Sequence, residues 1–136
     1  FETDIEVQEI GFVLLDDRTA GASPDGWVPD NGALEIKVLS AKNHVGALLQ
    51  NRAAASMGQI HGNLFVGERD FCDVLAFNAH LPPALQRIGR DDEYIASLTD
   101  ALARFSDELA AARERVIAMG VAHMADLREL VAEVSA

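Results

Sequence analysis

Asp25, Glu35 and Lys37 are the residues of this chain whose types and spacing best suit chemistry. Glu35 and Lys37 stand two apart in the alternating run Ala33–Leu39, which places both on one face of a strand. Asp25 lies ten residues before Glu35, in the turn Ser23-Pro24-Asp25-Gly26. A short hairpin through Pro29-Asp30-Asn31-Gly32 returns it to the vicinity of that strand. Two carboxylates and a lysine thus converge at one end of a sheet, a set that suits phosphodiester hydrolysis. The substrate is anionic and repels hydroxide; carboxylates hold Mg²⁺, which offsets that charge and lowers the pKa of a bound water. The backbone carbonyl of Ile36 can supply a further hard oxygen ligand between them. Lys37 can orient the water or stabilise the charge of the pentavalent transition state. Taken alone the pattern is loose. A solvated strand face with one Glu–Lys cross-pair accounts for it more simply; Asp25 could serve as a turn residue, but with Glu35 and Lys37 downstream a functional role is favoured for it.

The elements that must position these residues can be read from periodicity and turn residues. Ile5 to Asp17 is predicted as a strand, buried on both faces where it becomes Phe12-Val13-Leu14-Leu15. Trp27-Val28 is a short strand, and Ala33–Leu39 another, with Leu34, Ile36 and Val38 on the face opposite Glu35 and Lys37. Helices are predicted over 43–52 and 53–66; Gly58 and Gly62 let the second lie close to a neighbour. A strand over 71–78 is followed by a hairpin partner over 85–90, through Leu81-Pro82-Pro83. A long helix over 91–119 opens on Asp91, Asp92 and Glu93, which favour its positive end. Gly120 interrupts it, and a helix resumes over 121–134. The long helix repeats apolar residues at Ile95, Leu98, Leu102, Phe105, Leu109, Ala112, Val116 and Met119. Packing on the sheet explains that row; a subunit contact for the part after Leu109 is the alternative. The order predicts one α/β or α+β core over residues 1–136.

Composition sets limits. The 136 residues suit one domain, and 49 % hydrophobic with 24 % charged residues excludes disorder over most of the length. No apolar run is long enough to span a bilayer, and no secretory signal opens the chain. The lone Cys72 cannot form an internal disulfide, which suits a reducing compartment, and is predicted to be a buried small hydrophobe. The net charge of −11 excludes a grip on DNA through a broadly basic surface, but not a metal-dependent nuclease. His44, His61, His80 and His123 show no metal spacing; His61 is expected at the surface or in helix packing. Trp27 suits stacking on a terminal base or half-buried packing on the sheet.

Four blocks carry a resemblance: Gly21-Ala22-Ser23-Pro24-Asp25-Gly26-Trp27-Val28, then Gly32-Ala33-Leu34-Glu35-Ile36-Lys37, then the segment Gln59 to Gly67, then Arg90-Asp91-Asp92-Glu93-Tyr94-Ile95. In that order they resemble the blocks of the YqaJ-type viral recombinase family, which contains the lambda-type phage exonucleases and has the PD-(D/E)XK nuclease fold. The resemblance spans Ile5 to Leu109. It implies a restriction-endonuclease-like core, α/β in class, with a central mixed sheet flanked by helices and long C-terminal helices. It implies that Asp25 and Glu35 bind metal, that Lys37 is the catalytic lysine and that Gln59 is an active-site glutamine on the following helix. It places the hydroxyl of Ser23 where it touches a DNA phosphate.

The implied activity is removal of one strand of double-stranded DNA from its 5′ end with Mg²⁺, for which Mn²⁺ can substitute. The implied partners are DNA ends, two further copies in a homotrimer ring, and a single-strand annealing recombinase. The setting is homologous recombination in the cytoplasm of a bacterial or phage-infected cell, with no membrane involved. Family members carry a helical region before the first strand, with a further Glu and basic residues. This sequence begins almost at that strand, so an N-terminal helical segment is expected to be missing from it, and the chain alone is expected to bind duplex DNA weakly and to cleave it poorly even with Mg²⁺, while a version extended upstream does both. Two other readings stand beside this one: another endonuclease or repair nuclease of the same fold, and a truncated, non-catalytic assembly module.

Overall fold

In the computed structural model, which describes residues 5–50 and 54–119, turn chemistry starts the sheet. Asp30 and Asn31 both take left-handed backbone conformations, with φ of 61° and 64°. Short side chains that bond locally tolerate this best among non-glycine residues. Their turn joins β3 (Gly26–Val28) to β4 (Gly32–Val38) as an antiparallel pair, Val28 opposite Gly32 and Gly26 opposite Leu34. Gly32 answers a close approach, because a Cβ there would run into the Phe71 ring and Val28. Two helices, α1 (Ala41–Gln50) and α2 (Met57–Val66), then cross to β5 (Phe71–Asn78), which lies parallel to β4 with Gly32 opposite Phe71 and Val38 opposite Phe77. β6 (Leu81–Gly89) returns antiparallel to β5, so the sheet order is β3-β4-β5-β6. This is the expected mixed sheet with flanking helices.

Three boundaries differ from expectation, each for a physical reason. α2 starts at Met57 rather than Ala53, because Ser56 is its N-cap and accepts the Gln59 N–H at 3.2 Å. β6 takes in Pro82 and Pro83, which lack an N–H for the ladder but are tolerated on an edge strand. The predicted strand Ile5–Asp17 is not continuous. Only β1 (Val13–Leu14) and β2 (Gly21–Ala22) pair, as a two-stranded sheet of their own, and Gln8 bridges to Trp27. The chain reverses at Asp16–Thr19, with Arg18 at φ 59° and Thr19 bonded to Asp17, so the apolar run folds back on itself instead of entering the main sheet. Phe12 is 68 % exposed, not buried on both faces.

The core lies between α2 and one face of the sheet. Ile60 and Leu64 of α2 pack with Ala33, Cys72, Val74 and Ala55, and Trp27, Ala54 and Ile88 close the edges. Small residues at Ala33 and Cys72 let the helix approach. Because side chains alternate, Glu35 and Lys37 share Ala33's face and lie under α2, whereas Ile36 and Val38 on the other face are 41 % and 78 % exposed. That face also carries a two-pronged Asp73–Arg87 pair at 2.7 and 2.8 Å, with the guanidinium over the Phe71 ring.

Two compact units divide the chain, Phe1–Thr99 and Asp100–Ala136. The first holds the sheets, α1, α2 and the opening turns of α3 (Asp92–Ala118). Asp91 caps α3 by accepting the Tyr94 N–H at 2.9 Å. Of the apolar row, Ile95 is buried and Leu98 half-buried within the first unit, whereas Phe105, Leu109, Val116 and Met119 of the second are exposed. In the second unit α3 runs on to Ala118. The predicted break at Gly120 and helix over 121–134 fall outside the described residues.

Candidate active site

Asp25 reaches Glu35 through the register of the β3–β4 hairpin. Gly26, the last paired residue of β3, is opposite Leu34, and Asp25 just before it is held to the residues on either side of Glu35. Its backbone is tied in by Asp25 N–H donating to the Leu34 carbonyl at 3.1 Å, and its Oδ2 accepts the Ile36 N–H at 2.6 Å. In an extended strand the N–H and C=O of one residue point to the same side. The Ile36 carbonyl therefore lies on the β3 side of β4, the side on which its N–H meets Asp25.

Glu35 is the buried centre of the site, 3 % exposed. Burying a carboxylate is costly unless donors surround it, and three side chains do so. Lys37 Nζ and Gln59 Nε2 both meet Oε1, at 2.5 and 2.6 Å, and Asn63 Nδ2 donates to Oε2 at 3.0 Å. Gln59 owes its place to Ser56: a Ser-x-x-Gln start is a capping pattern that fixes the first helical turn. Thus the structure brings Asp25, Glu35, Ile36, Lys37 and Gln59 together. Ser23 is exposed, two residues before Asp25 in the stretch between β2 and β3. Trp27 is half-buried against the core, with the Arg69 guanidinium 4.3 Å from its ring centroid. Sequence reasoning missed Asn63. The signal was available: Asn63 follows Gln59 by four residues, and so shares its helical face.

The rest of the matched blocks has structural work. Arg90 donates from Nη1 to the Leu64 carbonyl at 2.8 Å, near the negative end of α2, and from Nε to Asp92 at 2.8 Å. Tyr94 lies against the buried ring of His61, centroids 4.7 Å apart. The block that opens α3 therefore fastens that helix to α2, which carries Gln59 and Asn63.

Negative charge concentrates at this end of the sheet, and Cys72 registers it. Burial, then the nearby charges of Glu35, Asp73 and Asp25, push its thiol from an ordinary 9.0 up to about 12. At pH 8 only about one ten-thousandth of such a thiol is ionised. A disulfide reagent should therefore modify the native chain at pH 8 at least about 100-fold more slowly than the unfolded chain; equal rates would refute the assigned environment. The folded state holds this proton more tightly than the unfolded state, so its contribution to stability is complete below pH 9.0 and is lost as pH rises toward about 12. Denaturant midpoints across that window should fall less steeply for Cys72→Ala than for the parent chain.

Among the described residues, no group of three or more His, Cys, Asp or Glu side chains could hold a metal ion together. Two carboxylates and a carbonyl nevertheless fit Mg²⁺, which commonly keeps several waters and takes one or two protein carboxylates.

No family model and no curated protein matches this chain. Solved structures do. The alkaline exonuclease LHK-Exo from Laribacter hongkongensis is 29 % identical, with a TM-score of 0.78 over 87 % of this chain and 64 % of that one. LHK-Exo in complex with dAMP gives a TM-score of 0.80 at 29 % identity, over 88 % of this chain and 66 % of that one. The chain thus spans just under two thirds of the length of these exonucleases. With the fold described above, this likeness to an alkaline exonuclease supports the place that Ser-Pro-Asp-Gly and Glu-Ile-Lys gave the chain, beside the lambda-type recombinase nucleases.

Proposed function

We propose that this chain carries the active centre of a Mg²⁺-dependent exonuclease that degrades one strand of double-stranded DNA from the 5′ end. The observation that carries the reading is the convergence on Glu35: Asp25 bonded to Leu34 and Ile36 on either side of it, Lys37 and Gln59 on its Oε1. Asp25, Glu35 and the Ile36 carbonyl would hold Mg²⁺, or Mn²⁺ in its place. The bound ion supplies a water of lowered pKa and offsets phosphate charge. Lys37 contributes a compact ammonium for the charge that builds on the phosphoryl oxygens. Gln59 holds the outer oxygen of Glu35, and the Ser23 hydroxyl, on the approach to Asp25, donates to a phosphate. Trp27 is the candidate for stacking on a terminal base. LHK-Exo has been solved with dAMP; a mononucleotide of that class is the product proposed here. The wider setting follows the sequence resemblance: a homotrimer ring on DNA ends, working beside a single-strand annealing recombinase in the cytoplasm during recombination. No helix among the described residues is long and apolar enough to cross a membrane.

Two DNA forms test the reading. With Mg²⁺, the full-length protein should shorten a linear duplex from its ends and leave a covalently closed circle of the same sequence intact. Cleavage of the circle would make the chain an endonuclease. Inertness toward both, together with no uptake of Mn²⁺, would make it an assembly module.

A further inference from the structure

Resting on that nuclease reading, we propose that Asn63 is a positioning residue: it fixes the inner oxygen of Glu35 so that the outer oxygen can exchange its partners. The two oxygens of Glu35 have different company. Oε1 meets two donors that reach in from accessible positions, Gln59, which is exposed, and Lys37, which is 30 % exposed. Oε2 meets Asn63, which is 5 % exposed. The two amides stand one helical turn apart on α2 and divide one carboxylate between them.

The difference matters when a divalent cation approaches. The cation and the Lys37 ammonium compete for the same negative charge, so Lys37 must loosen its hold as the cation is taken up. The amide of Asn63 is neutral. It has no charge to be repelled by the cation, and it binds the other oxygen. It can therefore hold the carboxylate in one orientation both before and after Lys37 moves away. Three properties of position 63 fit this role. A hydrophobic residue would orphan Oε2 in the interior. An acidic residue would set a like charge against Glu35. Its place on α2, fastened by Arg90 at one end and capped by Ser56 at the other, keeps the amide still.

The inference makes opposite demands on two variants. Asn63→Leu keeps the branched shape but loses the donor, and should weaken divalent-ion binding about 10- to 100-fold, the cost typical of losing a partner that orients a ligand. Lys37→Met removes the competing ammonium and should tighten it. The test is calorimetric titration of Mn²⁺ into the full 136-residue chain without DNA, alongside thermal unfolding of each variant. Asn63→Ser, whose hydroxyl is too short to reach Glu35, repeats the test if Asn63→Leu does not fold. An affinity for Asn63→Leu or Asn63→Ser within about twofold of the parent, whatever its melting temperature, would overturn the role. So would a loss in Lys37→Met as large as that in the Asn63 variants, since the two oxygens would then be equivalent. Absence of Mn²⁺ uptake by the parent chain would instead refute the nuclease reading, and this inference with it.

Discussion

Glu35→Ala and Asp25→Asn should each lower Mg²⁺-dependent cleavage of linear duplex DNA by more than about 100-fold. Partners that merely orient a metal ligand cost about 10- to 100-fold when removed, and these two side chains are the proposed ligands themselves. The variants separate chemistry from folding. Glu35→Ala strands the buried amide of Asn63, whose acceptor was Glu35, while Gln59 and Lys37 reach in from accessible positions. Some loss of stability should accompany the loss of rate, on the order of 1–3 kcal/mol. Asp25→Asn has no such burden. Asp25 is exposed, and the amide oxygen of asparagine can still accept the Ile36 N–H that Oδ2 accepts at 2.6 Å. Its melting temperature should stay near the parent's while its rate collapses. Near-parental cleavage by Asp25→Asn would remove Asp25 from the site.

Lys37→Arg should be impaired almost as severely, by about 10²- to 10³-fold, the range seen when one preorganised donor to a developing charge is lost. Charge is retained in this variant, so the loss isolates shape. Lys37 reaches Glu35 Oε1 with a compact ammonium from two residues along the same strand face, beneath α2. The guanidinium is planar and broader, and presents its donors in a fixed fork. It would meet Gln59, which shares Oε1 with Lys37. Divalent-ion binding should survive, because neither carboxylate is touched. A variant that keeps most of its rate would reduce Lys37 to a structural cross-pair.

Much of the site was legible because it is local. Ser-Pro-Asp-Gly, the Asp30–Asn31 turn and the Glu-Ile-Lys strand are contiguous, and a hairpin register is enough to put Asp25 beside Glu35. The strands over 71–78 and the start of the long helix were legible for the same reason, one through β-branched and aromatic content, the other through its acidic first turn. What stayed hidden depends on contacts across the chain. Nothing in the alternation of Ala33–Leu39 says which face a helix will cover, and the structure covers the charged one. Asn63 looked like any helical polar residue until the crossover brought α2 over β4. The run from Phe12 to Leu15 has strand composition, but composition does not supply a partner, and it found Gly21–Ala22 rather than the main sheet. Arg90 and Tyr94, noticed as pattern, proved to be fasteners for α2.

The parallel pairing of β4 with β5 has a consequence for how the molecule comes into being. β3–β4 and β5–β6 each close across a turn of a few residues, whereas β4 and β5 can meet only after the whole crossover carrying α1 and α2 has been looped out. Closing that longer loop carries the larger entropy cost and is the slower event. Asp25 and Glu35 belong to the first kind of contact, Gln59 and Asn63 to the second. During refolding the two acids should therefore be neighbours before their neutralising donors arrive, so self-repulsion opposes the early hairpin and the late docking of α2 relieves it. Nuclease competence is expected to be the last property a refolding chain regains.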